Sequence, residues 1–168
     1  MKRRVLPWIV AGLIVIVDRT TKVMVLHCII PGGLIRVLPG LSLTNVRNPG
    51  IAFSLFADGG PLTRTILQSA IFCAVLFIAW MLYRLADQSL GPALAMGLVL
   101  GGAAGNLLDR IFYGWVVDFI HAYIHLGGRV YAWPDFNVAD SSITVGAGLL
   151  ILYELRRPKE QHDAPDPD

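Results

Sequence analysis

The sequence has little charge for a chain of its length, and this argues against an ordinary soluble domain. Charged side chains make up 15% of the 168 residues, whereas hydrophobic side chains make up 55%. The mean hydropathy of +0.60 favours a membrane protein with several spans. The formal net charge is only +2, and no basic run alternates with aromatic side chains, which argues against a nucleic-acid-binding protein.

Cysteine is almost absent as well. Cys28 lies at the end of one apolar run and Cys73 lies inside another, which argues against a disulfide framework. We expect both to be buried, unreactive thiols. The basic N-terminus resembles the start of a signal peptide, but the apolar run behind it is too long for an h-region. We therefore expect this run to be retained as a first membrane span.

Four apolar runs predict membrane-spanning helices at about 5–26, 65–83, 92–109 and 138–155. A helix needs about 20 residues to cross the hydrocarbon core, so the first two are long enough alone. The last two need their polar ends buried within the bundle. We predict an all-α membrane protein, with one four-span domain over 1–157 and a disordered cytoplasmic tail over 158–168.

The basic residues that flank these runs fall on one side of a membrane if there are four spans. Both termini are then cytoplasmic by the positive-inside rule. The residues concerned are Lys2, Arg3, Arg4, Arg84, Arg156, Arg157 and Lys159.

The connection between the first two spans has a strand-like pattern. Leu34–Leu38 and Leu41–Val46 flank Pro39-Gly40, a pair that suits a type II turn. We predict a small sheet on the external surface, with an apolar face against lipid or substrate (Ile35, Val37, Leu41 and Leu43). We expect a short helix or loop between spans three and four.

Small residues mark one face of the third span. Gly97, Gly101 and Gly105 recur at a spacing of four. Glycines at this spacing let a second helix approach closely. We predict that this face packs against a neighbouring span.

Four aspartates stand at a predicted membrane edge, where each carboxylate costs about 2–3 kcal/mol: Asp109, Asp118, Asp135 and Asp140. Asp118 has apolar neighbours and no adjacent basic residue. Burial raises the pKa of a carboxyl group, and a second carboxylate raises it further. Asp118 and Asp140 are therefore predicted to share a proton as an acid/base pair. We expect Asp135, which follows Pro134, to be solvated.

Other readings of these polar residues stay open. Asp140 could simply cap the start of the fourth span. Asp109 and Arg110 could form an interfacial ion pair. Asp18 and Lys22 share a helix face, which favours a structural pair.

A zinc site is a further alternative. His121 and His125 could ligate zinc together with Asp118. The Glu that follows the first His of a zincin motif is missing, and an amphipathic helix ending at Gly127-Gly128 explains both histidines. We expect neither a metal nor a cofactor.

Two other protein classes compete with an aspartyl peptidase. A metal-dependent membrane transferase could use Asp109, Asp118 and Asp140 to bind Mg²⁺, but the expected Asp-dense helix motif is missing. A small transporter needs polar residues at midplane depth, whereas here they gather at the ends of the spans.

Five sequence blocks, in order, resemble the signature blocks of the lipoprotein signal peptidase (signal peptidase II) family. Together they extend over most of the chain. The blocks are Asp18-x3-Lys22, Asn48-x-Gly50-x-Ala52-Phe53-Ser54, Gly105-Asn106-Leu-Leu-Asp109-Arg110, Val116-Val117-Asp118-Phe119 and Phe136-Asn137-Val-Ala139-Asp140-Ser141.

The resemblance implies a bacterial inner-membrane aspartyl endopeptidase with its active site near the periplasmic face. It implies cleavage of diacylglyceryl-modified prolipoproteins just before the lipidated cysteine, no cofactor, contact with membrane lipid and inhibition by globomycin. We expect a monomer. By the same resemblance Asp118 and Asp140 are catalytic and Asp18 and Lys22 are a supporting pair. The substrate-binding or supporting positions are Asn48, Gly50, Asn106, Asp109, Arg110, Asn137 and Ala139.

Overall fold

A computed structural model describes residues 2–50 and 60–156. The predicted tail over 158–168 and the motif residues Ala52, Phe53 and Ser54 lie outside the described residues.

Helices form at all four apolar runs and are longer than predicted. They are α1 (Lys2–Cys28), α2 (Pro61–Leu85), α3 (Leu90–Tyr113) and α4 (Val138–Arg156). Three described segments are long and apolar enough to cross a membrane: Thr65–Leu85, Leu90–Tyr113 and Val138–Arg156. Helix α1 is not among them, because it carries Asp18, Arg19 and Lys22 within its apolar run.

The strands form one antiparallel sheet in chain order, β1 (Leu34–Leu38), β2 (Leu41–Asn48), β3 (Val116–Leu126) and β4 (Arg129–Ala132). The predicted first hairpin is confirmed, and Gly40 adopts the positive φ of 84° that its turn requires. Strand β1 is exposed along its whole length, whereas Leu43 of β2 packs towards a small core around Val117 and Phe119.

The connection between α3 and α4 differs from the prediction, because it is a β-hairpin and contains no helix. His121 and His125 therefore lie on strand β3 and not on successive turns of a helix. The β-branched and aromatic residues of this stretch suit a strand, and β2 offers its free edge for pairing. All four predicted helices are present, and the predicted small sheet is larger than expected because β3 and β4 join it.

Helix α3 lies at the centre of the bundle, and its glycines explain how closely its neighbours approach. A Cβ added at Gly97 would lie 2.5 Å from the carbonyl oxygen of Pro7, and one at Gly101 would lie 2.7 Å from that of Ala11. The predicted close packing of this face against a neighbouring helix is confirmed, and that helix is α1.

The cysteines differ from the expectation in one respect. Cys28 and Cys73 are both free, but both are exposed at the surface of the protein. An apolar run in a membrane protein can face lipid as readily as a core, so hydrophobicity alone did not predict their exposure.

Candidate active site

Asp118 is placed by the end of α3 and the start of β3. Gly114 ends the helix in a left-handed conformation, with φ 78°, and the chain enters β3 two residues later. Asp118 is 3% exposed. Its Oδ1 accepts a hydrogen bond from Nδ2 of Asn137 over 2.8 Å, and its Oδ2 accepts one from Nδ2 of Asn48 over 3.0 Å.

The electrostatic setting of Asp118 favours its protonated form. Burial raises the pKa of Asp118 from 3.8 to about 6, and the neighbouring Asp140 adds to the rise. The hydrogen bonds from Asn48 and Asn137 oppose this rise because they stabilise the ionised carboxylate. Asp118 therefore keeps its proton to a higher pH, about 6, than an ordinary aspartate does.

Asp140 lies in the first turn of α4 and is fixed from two sides. Its Oδ1 accepts a hydrogen bond from Nδ2 of Asn106 over 2.7 Å, and its Oδ2 accepts the backbone N–H of Asn137 over 3.2 Å. In return, Oδ1 of Asn137 accepts the backbone N–H of Asp140 over 2.8 Å. This reciprocal arrangement has the form of a capping box. Asp140 thus takes part in capping α4, but the N-cap residue is Asn137 and not Asp140, and the Asp140 carboxylate still lines the same cavity as Asp118.

Asp118 and Asp140 line the same cavity, which has a volume of about 410 Å³. Asn48, Asn106 and Arg110 line it too, while much of the remaining wall is apolar, for example Ile71 and Trp133. Two carboxylates in a partly apolar cavity, one of them with a raised pKa, can take a proton from water and donate another to a carbonyl oxygen.

Lys22 ties the supporting residues together from α1. It is completely buried, and its Nζ lies 2.8 Å from Oδ2 of Asp18 and 2.9 Å from Oδ2 of Asp109. The same Nζ donates a hydrogen bond to Oδ1 of Asn106 over 2.9 Å. Asp18 in turn accepts the backbone N–H of Ala139 over 2.9 Å. One cation therefore joins α1 to α3, and its partner Asp18 joins α1 to α4.

Asp109 and Arg110 do not pair with each other, contrary to one reading of the sequence. Asp109 pairs with Lys22 and, over 2.9 Å, with Nη1 of Arg19, and it accepts the backbone N–H of Val117 over 3.1 Å. Arg110 donates to the backbone oxygen of Gly50 over 2.7 Å. Asp109 thus fixes the start of β3, and Arg110 fixes the chain just after β2.

Asp135 and Arg19 each have a partner that no short stretch of sequence indicates. Asp135 was expected to be solvated, but its side chain is 13% exposed and Oδ1 lies 2.5 Å from Nδ1 of His121. Arg19 donates to the hydroxyl of Tyr113 over 2.7 Å. Both contacts join residues that are far apart in sequence, so no local motif predicts them.

The two histidines do not converge with Asp118. His121 pairs with Asp135, while the ring of His125 lies edge-on to that of Tyr123 with centroids 5.4 Å apart. Within residues 2–50 and 60–156, no group of three or more His, Cys, Asp or Glu side chains could hold a metal ion.

Comparison with known proteins identifies the family that the chain resembles over most of its length. Residues 10–156 match a family model described as signal peptidase (SPase) II. A lipoprotein signal peptidase of Cupriavidus necator is 44% identical over 147 residues, which cover 88% of this chain and 81% of that protein. A lipoprotein signal peptidase of Burkholderia thailandensis is 43% identical over 152 residues, covering 90% and 89%.

Two solved structures of bacterial membrane enzymes have a similar fold. A bacterial membrane enzyme determined by the in meso method superposes with a TM-score of 0.76 at 29% identity, covering 95% of this chain and 94% of that one. A second bacterial membrane enzyme structure gives a TM-score of 0.71 at 31% identity, covering 90% and 93%.

Proposed function

The chain belongs to the signal peptidase II family, and we propose on that premise that Asp118 and Asp140 are its catalytic pair. The protein is a membrane aspartyl endopeptidase that removes the signal peptide from diacylglyceryl-modified prolipoproteins, cutting just before the lipidated cysteine. The observation that supports the pair is that two carboxylates from β3 and α4 line one cavity and are joined through Asn137.

The raised pKa of Asp118, about 6, supports Asp118 as the acid of the pair and Asp140 as the base. Asp118 carries the shared proton and donates it to the scissile carbonyl oxygen, while Asp140 accepts a proton from the attacking water. The water oxygen bonds to the carbonyl carbon and forms a tetrahedral intermediate. The C–N bond then breaks as Asp140 returns its proton to the leaving nitrogen, while Asp118 recovers its own from the gem-diol. No covalent enzyme intermediate is needed.

Amide side chains around the pair hold the two carboxylates in fixed positions by hydrogen bonds. Asn48 donates to Asp118, Asn106 donates to Asp140, and Asn137 contacts both. Arg110 holds Gly50 beside the cavity, and Nε of Arg110 is buried without a hydrogen-bond partner in the described part of the chain. We propose that Arg110 and the asparagines position the scissile peptide, while Asp109 and Ala139 support the helices that carry them.

We further propose that α1 completes a four-span bundle in the bacterial inner membrane, in one domain over 1–157. A charged helix is costly in lipid, but Asp18 and Lys22 of α1 neutralise each other inside the bundle. The basic residues at both chain ends support a cytoplasmic location for both termini. The cavity then opens near the periplasmic face, where the diacylglycerol chains can remain in surrounding lipid. A single copy of the chain supplies every proposed catalytic group, so we propose a monomer.

The test is cleavage of a purified, diacylglyceryl-modified prolipoprotein by the reconstituted protein. We expect cleavage before the lipidated cysteine, resistance to EDTA and inhibition by globomycin. An unmodified substrate with a free cysteine serves as the control and should be cleaved far more slowly. Loss of activity in EDTA that Mg²⁺ restores would instead favour a metal-dependent enzyme. No observation favours that alternative or a transporter.

A further inference from the structure

Asp135 is a third carboxylate on the wall of the cavity that holds Asp118 and Asp140. Both of its oxygens are engaged: Oδ1 lies 2.5 Å from Nδ1 of His121, and Oδ2 accepts the hydroxyl of Thr44 over 2.6 Å. Thr44 is 7% exposed. A carboxylate held at both oxygens by short hydrogen bonds is well suited to fixing a segment of chain in place.

The segment that Asp135 fixes is the cavity wall between β4 and α4. His121 belongs to β3 and Thr44 to β2, so one side chain joins this wall to two strands. The next residue, Phe136, is already paired with β3, because its carbonyl oxygen accepts the backbone N–H of Ile120 over 2.8 Å. The side chain of Asp135 extends that backbone pairing across to β2.

The same two stretches of chain also carry the catalytic contacts. Strand β3 bears both Asp118 and His121, and the wall segment leads from Asp135 directly to Asn137. Asn137 contacts Asp118 over 2.8 Å, and His121 contacts Asp135 over 2.5 Å. Both contacts join β3 to the segment between β4 and α4. A shift of the outer contact, His121–Asp135, would therefore also displace the inner contact, Asn137–Asp118.

We propose that Asp135, held by His121 and Thr44, is a positioning residue that fixes Asn137 and, through it, Asp118 and Asp140. This inference rests on the proposed function. Displacement of catalytic groups by about 1 Å can lower the rate about a hundredfold. Loss of this outer contact should therefore act on the chemical step more than on substrate binding.

The experiment compares Asp135→Ala, His121→Phe and the double variant, each as the full chain in lipid with diacylglyceryl-modified prolipoprotein as substrate. We expect each single variant to lower kcat about tenfold with KM within about twofold of wild type. The double variant should be no slower than the slower single variant, because Asp135→Ala already breaks the contact that His121→Phe removes. Asp135→Asn keeps an oxygen for Thr44 and an amide for His121, so it should recover most of kcat.

Matched controls separate positioning from general damage. His125→Phe changes an exposed histidine of the same strand that contacts no carboxylate among the described residues. Asp87→Ala removes an exposed aspartate of the loop between α2 and α3 together with its surface ion pair to Arg4. Both should keep wild-type kcat. The melting temperature and the kcat per folded molecule are measured for every variant.

Several outcomes would overturn the positioning role. They are an unchanged kcat in Asp135→Ala, multiplied losses in the double variant, or a loss confined to folded yield. Asp118→Asn is assayed alongside: if wild type cleaves, Asp118→Asn does not, and Asp135→Ala keeps its kcat, the positioning role is wrong and the proposed function stands. If the wild type itself does not cleave, the proposed function fails and this inference fails with it.

Discussion

The side-chain amide of Asn137 donates a hydrogen bond to Oδ1 of Asp118 over 2.8 Å. The amide oxygen of Asn137 accepts the backbone N–H of Asp140, also over 2.8 Å. One completely buried side chain thus sets the positions of a strand carboxylate and a helix carboxylate relative to each other. The geometry of the proposed pair depends on this residue more than on any direct contact between the aspartates.

Replacing Asn137 should lower the rate of the chemical step. We expect Asn137→Ala to lower kcat about a hundredfold, because both carboxylates lose a fixed partner and drift from the reactive geometry. Steady-state kinetics on lipid-modified substrate, normalised to folded protein from size-exclusion chromatography, measures the change. A kcat close to that of wild type would show that Asn137 does not position the pair.

The pH dependence should reveal which carboxylate carries the proton. Because burial raises the pKa of Asp118 to about 6 and Asp118 is the proposed acid, kcat/KM should fall as pH rises through about 6. Asn48→Ala removes a hydrogen bond that favours the ionised carboxylate. The pKa should then rise further, so the falling limb should move to higher pH. A limb that instead rises as pH passes through about 6 would assign Asp118 as the base.

The buried Lys22, which pairs with Asp18 and Asp109, should be needed for folding. Lys22→Met leaves Asp18 and Asp109 buried beside no lysine, which typically costs about 3–5 kcal/mol. We expect little folded protein by size-exclusion chromatography, whereas Arg84→Met, which removes an exposed cation from the end of α2, should fold normally. Normal folding of Lys22→Met would mean that this cation does not hold the helices together.

Asp18→Asn should be milder than Lys22→Met. It keeps an oxygen for the backbone N–H of Ala139 and loses only the charge opposite Lys22. Folded yield should therefore fall more than the activity per folded molecule. A purified, well-folded but inactive Asp18→Asn protein would show that Asp18 takes part in catalysis.

The close packing of α1 on α3 should make the stability of the protein sensitive to the size of the residue at position 101. A Cβ at Gly101 would lie 2.7 Å from the carbonyl oxygen of Ala11, so Gly101→Ala should force the helices apart and destabilise the protein by about 1–3 kcal/mol. Gly148→Ala in α4 is the matched control, because a Cβ there meets nothing within 4 Å. Melting temperatures in detergent should fall for the first variant only, and equal values would contradict the packing.

Features encoded in short stretches of sequence were predictable. The four apolar runs became helices, and Pro39-Gly40 gave the first hairpin because its residues suit that turn. The spacing of Gly97, Gly101 and Gly105 indicated a close helix contact without identifying its partner. Local periodicity and turn chemistry were enough for these elements.

Features that depend on distant pairing were not predictable. Strand β3 was expected to be a helix or loop, because its conformation is decided by pairing with β2, far away in the chain. Asp109 likewise pairs with Lys22 and Arg19 of α1, which are distant in sequence, and not with the adjacent Arg110. Asp135 was expected to be solvated because nothing near it in sequence indicates Thr44 or His121.

The most direct test is the cleavage of diacylglyceryl-modified prolipoprotein by Asp118→Asn and Asp140→Asn, each compared with wild type at equal amounts of folded, membrane-inserted protein. Wild type should release the signal peptide, and each variant should release none while inserting normally. Substantial turnover by either variant would contradict the assignment of Asp118 and Asp140 as the catalytic pair.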